Sequence, residues 1–102
     1  MGYNIKVLPA VRTDLRKAKK WYLDESEILA LEFKQEVDKE INYIGDHPEH
    51  YQLKYKELRQ SLVTRFPYAI FYLLEEEAKR IIIFGVLHTS RNPEIIRKRI
   101  KG

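Results

Sequence analysis

The sequence predicts a single α+β domain: an N-terminal strand, an antiparallel two-helix hairpin, and then an antiparallel β-meander, in the order β-α-α-β-β-β. Residues 3–7 alternate apolar and polar side chains, two apolar stripes at helical spacing follow, and three β-rich segments fill the second half. A chain of 102 residues with 44% hydrophobic content suits one buried core. We therefore treat residues 1–102 as one domain.

The first helix is predicted to begin at Pro9, because a proline in the first turn loses no intrahelical hydrogen bond. Its apolar stripe comprises Val11, Leu15, Ala18 and Tyr22. Ser26 is a candidate N-cap for the second helix. The stripe of that helix comprises Ala30, Phe33, Val37, Ile41 and Ile44. Gly45 is expected to end it in a left-handed cap, with Pro48 preventing a restart.

Three segments, residues 58–66, 68–74 and 81–87, are predicted to form the meander, and residues 47–55 could hold a short strand at most. Residues 81–84 are continuously apolar, as expected of a central strand covered by helices on one face and by the chain terminus or a partner on the other. Gly85 indicates a bulge or a close backbone approach. Residues 94–101 predict a short basic helix.

Composition excludes several classes of site. The chain has no Cys, and its three His lack the further ligands that a zinc site would need, so we expect neither a metal nor another cofactor. No apolar run approaches the ~20 residues of a membrane span, and the N-terminus lacks a signal-peptide pattern. The sequence thus predicts a soluble, cytoplasmic protein that does not bind membranes.

Positive charge is concentrated in the second half of the chain. Residues 1–50 carry a net −2 and residues 51–102 a net +6, which give the total of +4. Such a surface would attract nucleic acid, an acidic protein or an acidic disordered segment. The alternative is that the charge only keeps a small domain soluble.

Two motifs mark the last two strands: Arg65-Phe66-Pro67-Tyr68 opens one, and Val86-Leu87-His88-x-x-Arg91-x-Pro93 ends the other. Together with the element order, they resemble the RelE/ParE superfamily of toxins from type II toxin-antitoxin modules, in its ParE-like branch. Further positions that match ParE-like members are Asp14, Leu15, Phe33, Pro48, Leu58 and Arg59. The resemblance implies growth inhibition, plasmid stabilization, and neutralisation by an acidic antitoxin that folds on binding.

Members of the superfamily have one of two activities, and the resemblance favours one of them for this chain. RelE-like members cut mRNA on the ribosome with a cluster of basic residues and a C-terminal Tyr. Their basic positions correspond here to Gln60, Leu62 and Ala69, and the position of their Tyr lies near Arg97. Only their Arg after the last strand is retained, as Arg91. Each missing charge would remove ~2–4 kcal/mol of transition-state stabilisation, so cleavage is disfavoured.

ParE-like members instead poison DNA gyrase by binding, and their pattern is the closer match. The resemblance therefore implies a toxin that binds a type II topoisomerase or its DNA without catalysis. The candidate target-binding residues are Arg59, Arg65, Arg91, Arg97 and Arg99, within a basic tail that continues to Lys101.

Two other functions stay open. An endoribonuclease, ribosome-dependent or free, would use His88 as acid and base, with Arg59, Arg65 and Arg91 as phosphate clamps and Tyr72 or Tyr68 assisting. It predicts that these side chains converge on one side of the sheet. An inactive paralogue would only bind antitoxin.

The same residues also have purely structural interpretations. His88 could be a hydrogen-bonding residue at a strand end, and Arg91 could pair with Glu94 or an acidic helix residue. Tyr68 and Tyr72 could pack in the core, and an exposed β-edge would permit a homodimer.

Overall fold

The computed structural model describes residues 3–92 and 94–101, with the side chain of Lys101 left out of the description. One five-stranded sheet and three helices are formed by these residues. Their bounds are β1 Asn4–Val7, α1 Pro9–Glu25, α2 Glu27–Asp46, β2 Leu53–Tyr55, β3 Leu58–Leu62, β4 Tyr68–Glu75, β5 Arg80–His88 and α3 Glu94–Lys101. The strand order is β1-β5-β4-β3-β2, with β1 parallel to β5 and the other neighbours antiparallel. The predicted α+β architecture is confirmed.

The helical hairpin packs on one face of the sheet. Pro9 occupies the first turn of α1, and the backbone N–H of Leu29 donates to Oγ of Ser26, which caps α2 at 3.3 Å. Both predicted apolar stripes lie in or against the buried core between hairpin and sheet. Among the described residues, no helix is long and apolar enough to cross a membrane.

The predicted cap at Gly45 is wrong. The second helix continues through Asp46, and Gly45 is a buried helical residue without a positive φ. A Cβ atom at this position would lie 3.0 Å from Cδ1 of Ile5, and the carbonyl of Gly45 accepts a hydrogen bond from the N–H of Tyr3 at 3.3 Å. The glycine therefore permits close packing of the N-terminal strand against α2.

A β-bulge divides β5, as the sequence around Gly85 predicted. Phe71 of β4 pairs with Gly85, whereas the next residue, Tyr72, pairs with Ile83, which leaves Phe84 as the extra residue. The inward and outward alternation of side chains shifts by one at such a bulge. As a result, even-numbered residues of β5 face the hairpin after the bulge, and His88 is among them.

The C-terminal helix covers the other face of the sheet. A second apolar cluster forms there from Leu58, Ala69, Phe71, Leu87 and Ile96. A Cβ atom on Gly85 would lie only 2.7 Å from Cδ1 of Ile96, so the glycine also allows α3 to approach β5 closely. The predicted covering of the central strand by the chain terminus is confirmed.

Asp14 and Arg99 form a two-bond ion pair that joins both helical layers to β5. The two hydrogen bonds measure 2.7 and 2.8 Å, and the side chains are only 8% and 20% exposed. Asp14 also accepts from the N–H of Val86 at 3.1 Å, and Arg99 donates to the carbonyl of Phe84 at 3.0 Å. Hydrogen bonding to Asp14 raises the pKa of the Arg99 guanidinium.

We predict that Asp14→Ala lowers the free energy of unfolding by about 3 kcal/mol, because it leaves the guanidinium of Arg99 largely buried without its counter-charge. The double variant Asp14→Ala/Arg99→Met should be less destabilised, because no unpaired charge remains. Urea denaturation measures both. Lys34→Ala, which removes an exposed ion pair to Asp38, is the control and should change stability by less than about 0.5 kcal/mol. Equal stability of Asp14→Ala and this control would contradict the prediction.

Candidate functional site

An open cleft of about 660 Å³ lies between α1 and the turn that follows β5. His88, Ser90 and Arg91 line it on the side of the sheet, and Lys17 and Trp21 line it on the side of α1. The indole of Trp21 is 66% exposed, which is unusual for so large an apolar side chain. The cleft thus combines an exposed aromatic ring with two cations and an imidazole.

His88 is held by local hydrogen bonds. The N–H of Ser90 donates to Nδ1 of His88 at 3.0 Å, and Oγ of Ser90 lies 2.8 Å from the same nitrogen. Because Nδ1 accepts from a backbone N–H, the proton of the neutral ring belongs on Nε2. The ring also packs edge-on against Tyr68, with centroids 5.3 Å apart. The hydrogen-bonding interpretation of His88 therefore fits the observed geometry, and only Nε2 is left for contact with a ligand.

Arg91 is exposed at the rim of the cleft. Its N–H donates to the carbonyl of His88 at 2.9 Å and fixes the turn after β5. The alternative pairing of Arg91 with Glu94 is not observed, since Glu94 instead pairs with Arg97 at 2.6 Å. Counting only described residues, no carboxylate lies within ion-pair distance of Arg91. Pro93, the last residue of the motif, lies outside the described residues.

Two of the predicted target-binding arginines contact the chain itself. Arg59 is half-buried and donates to the carbonyl of Tyr51 at 2.6 Å. Arg65 stands in a loop with φ of 71°, and its guanidinium lies 3.4 Å from the carboxylate of Glu32 in α2. Arg59 therefore orders the segment before β2, and Arg65 joins its loop to the hairpin.

The arginines of the basic tail differ from each other. Arg97 is exposed and pairs with Glu94 within the same helix. Arg99 is mostly buried and satisfied by the ion pair described above, so it has little surface to offer to a target. Of the five predicted target-binding arginines, Arg91 alone is exposed and without an ion pair or side-chain hydrogen bond to the described residues.

The two tyrosines considered as catalytic residues pack in the core. Tyr72 is fully buried, and its hydroxyl donates to the carbonyl of Pro48 at 2.7 Å. Burial raises the pKa of Tyr72 to about 12. Tyr68 is 9% exposed and packs against the rings of Tyr22 and Phe33. Of the catalytic candidates His88, Arg91, Arg65 and Tyr72, only the first two line the same cleft.

A smaller cleft of about 240 Å³ opens on the opposite face of the sheet, beside α3. Gln60, Ala69 and Arg91 line it together with Lys54 and His88, so three of the positions matched to RelE-like members converge there. Leu62 pairs with Ala69 at the edge of this group and is exposed. Arg91 and His88 thus line both clefts, and Arg91 is the one cation at the matched positions that line the smaller cleft.

Sequence reasoning placed Trp21 beside the buried stripe of the first helix but assigned no function to Trp21 or to Lys54, which line the two clefts. Trp21 stands one position before the buried stripe residue Tyr22, and an aromatic residue outside the stripe is the signal that could have identified it. Lys54 lies on β2, a strand too short for its pattern to predict an orientation. Among the described residues, no group of three or more His, Asp or Glu is placed to hold a metal ion.

Comparisons with known proteins agree with this architecture. Residues 5–93 match the family model of the ParE toxin of the type II toxin-antitoxin system, parDE. A structure of the chromosomal ParDE toxin-antitoxin system from P. aeruginosa aligns with a TM-score of 0.73 at 14% identity, over 84% of this chain and 95% of that one. A double-arginine mutant of the E. coli toxin RelE in the free state aligns with a TM-score of 0.72 at 14% identity, over 99% and 97%. No curated protein sequence matches significantly.

We predict that Tyr72→Phe destabilises the fold by about 1 kcal/mol at pH 8, because the carbonyl of Pro48 loses its buried donor, without changing the activity of the protein in cells. The folded-state pKa of about 12 exceeds the ordinary value of 10. The neutral phenol of Tyr72 therefore makes its full contribution to the free energy of unfolding below pH 10, and this contribution is lost as the pH rises toward 12. Urea denaturation should show a constant difference in stability between wild type and variant from pH 8 to pH 10, and a narrowing difference from pH 10 to pH 12.

Tyr43→Phe is the matched control, since Tyr43 is 37% exposed, and it should change stability by less than about 0.5 kcal/mol. Loss of activity in Tyr72→Phe at unchanged stability would contradict a purely structural role.

Proposed function

This chain belongs to the ParE toxin family of type II toxin-antitoxin systems, and we propose that it acts by binding DNA gyrase, a type II topoisomerase, rather than by cutting RNA. The observation that carries the proposal is the composition of the cleft beside α3. Gln60, Ala69 and Arg91 meet there, and of these matched positions only Arg91 is charged, while Lys54 is the other cation on the lining. The cleft therefore has one arginine and one lysine where RelE-like members have a basic cluster.

RNA cleavage develops negative charge in a phosphorane transition state. RNA cleavage by a 2′-hydroxyl requires deprotonation of the nucleophile, stabilisation of the phosphorane and protonation of the leaving oxygen. The amide of Gln60 and the methyl of Ala69 cannot supply the electrostatic part. The cations missing at Gln60 and Ala69 alone, at ~2–4 kcal/mol each, correspond to a loss of roughly 10³- to 10⁶-fold in rate.

An endoribonuclease built on His88 is the second candidate, and one observation favours it: His88 and Arg91 line the same cleft. Arg65 and Tyr72, which this enzyme would also use, lie outside the cleft and contact the chain itself. Arg65 contacts Glu32, and the hydroxyl of Tyr72 is buried against Pro48. His88, Arg91 and the nearby Lys17 would have to supply both proton transfer and charge stabilisation. This arrangement supports binding of an anionic group better than it supports cleavage.

Neutralisation by an acidic antitoxin is part of the proposal. The structurally similar P. aeruginosa protein comes from a ParDE toxin-antitoxin system, and the +6 charge of residues 51–102 suits an acidic partner that folds on binding. Gyrase acts in the cytoplasm, so the proposed site of action is cytoplasmic.

We predict that the purified protein inhibits plasmid supercoiling by gyrase, and that Arg91→Ala raises the concentration for half-inhibition about tenfold, which corresponds to the loss of one interfacial arginine contact. Arg80→Ala is the matched control. Arg80 is also a surface arginine, but it begins β5 at the opposite end of the sheet and pairs with Glu75. Its removal should leave inhibition unchanged.

Unchanged supercoiling at a stoichiometric excess of the protein would overturn gyrase binding. Cleavage of mRNA in a purified translation reaction would then support the ribonuclease. Absence of growth arrest on induction, in cells lacking the antitoxin, would support a paralogue that only binds antitoxin.

A further inference from the structure

The tip of the helical hairpin carries an exposed apolar patch, formed by Leu23 of α1 and by Ile28 and Leu31 of α2. Ile28 is 72% exposed, the highest value for a large apolar side chain in the described part of the chain, and the other two are about half exposed. Ile28 and Leu31 are three residues apart and therefore share one face of α2. A cluster of this kind on a small domain marks an interaction site.

A groove of about 260 Å³ lies further along the same hairpin, between α1 and α2. Its apolar lining comes from Leu15 of α1 and from Phe33 and Val37 of α2. At a rise of 1.5 Å per residue, the middle of this groove lies about 10 Å from Ile28 along the axis of α2. Leu31 stands between the two. The hairpin therefore presents an apolar projection and an apolar recess next to each other.

The projection and the recess are bordered by opposite charges. Four exposed side chains form these borders: Arg16, Lys19, Glu25 and Glu27. The two carboxylates flank the hairpin turn beside the projection, whereas the two cations line the groove. Within the described residues, none of the four lies within ion-pair distance of an opposite charge. The remaining charges at the groove, Lys34 and Asp38, pair with each other at 2.8 Å.

We propose that the hairpin tip is the interface of a homodimer with two-fold symmetry, in which Ile28 of each chain enters the groove of the other. A two-fold interface requires a surface that is complementary to itself. This hairpin meets the requirement in shape and in charge, because its acidic projection matches its own basic recess. Leu31, which lies between them, would pack against its own copy at the two-fold axis. An unrelated partner would need only one of the two features.

This interface is separate from the surfaces described above. The groove shares no lining residue with the His88 cleft or with the smaller cleft beside α3. It also uses neither edge strand of the sheet, in contrast to the β-edge dimer that the sequence would permit. Each dimer would thus present the His88 cleft twice. The inference goes beyond gyrase binding, because it concerns two copies of this chain alone.

The test is sedimentation equilibrium of the full chain from about 1 μM to about 500 μM, because an interface centred on three apolar side chains is small and should be half-formed at roughly tens of micromolar. Ile28→Lys should raise the dissociation constant at least about tenfold, since it places a cation against Arg16 and Lys19 of the second copy. Leu53→Lys adds the same charge at an exposed leucine of β2. It is the matched control and should leave the dissociation constant unchanged.

Exchange of the border charges is the sharper test. Arg16→Glu/Lys19→Glu makes both borders acidic, and Glu25→Lys/Glu27→Lys makes both basic. Each variant alone should be monomeric at concentrations at which the wild type is dimeric. An equimolar mixture of the two should dimerise again as a heterodimer, because each contact then joins opposite charges. Circular dichroism and urea denaturation establish that all variants are folded.

Three results would overturn the proposal. A wild-type chain that stays monomeric at about 500 μM would exclude the second copy and assign the tip patch to a different partner. Equal effects of Ile28→Lys and Leu53→Lys would show that the dimer uses another surface. Failure of the mixed variants to dimerise would show that the charged borders do not pair. The measurements contain no gyrase, so their failure is distinguishable from failure of supercoiling inhibition.

Discussion

The Asp14 carboxylate and the Arg99 guanidinium form hydrogen bonds with backbone groups of β5 beyond the point where β1 pairs with it. The N-terminal strand pairs with β5 only as far as Ile83. Beyond that point, the N–H of Val86 donates to Asp14 and the carbonyl of Phe84 accepts from Arg99. Side chains from two helices thus form hydrogen bonds with these backbone groups. Without them, each buried backbone group would lack a partner, which costs free energy comparable to a lost hydrogen bond. The packing of α3 on the sheet depends on this pair.

The β-bulge beside this ion pair determines on which face of the sheet the last side chains of β5 lie. A regular strand would place Leu87 on the side of the hairpin and direct His88 to the opposite face. The extra residue at Phe84 reverses that arrangement, so His88 packs against Tyr68 beside α1. Arg91 follows three residues later and lines clefts on both faces. His88 lines both clefts as well, and the inserted residue in β5 places its ring beside Tyr68, on the side of the hairpin.

Local patterns in the sequence predicted most of the fold, because helical stripes, Ser26 and the β-rich runs each act over a few residues. The prediction at Gly45 was wrong since the role of that glycine is set by Ile5, forty residues earlier. The candidate site was predicted less well for the same reason. Contacts such as Arg65 with Glu32 join residues far apart in the chain, and no local pattern distinguishes a paired arginine from a free one.

The positive net charge of the second half of the chain therefore predicted a binding surface but did not show which residues form it. Four of the five arginines selected from the sequence are held by contacts within the chain. A cation satisfied by its own protein must break that contact before it can bind a target, which reduces the net gain. Among the five selected arginines, Arg91 has no side-chain contact of this kind to break within the described residues, so its role in target binding stays the prediction that the structure leaves most accessible.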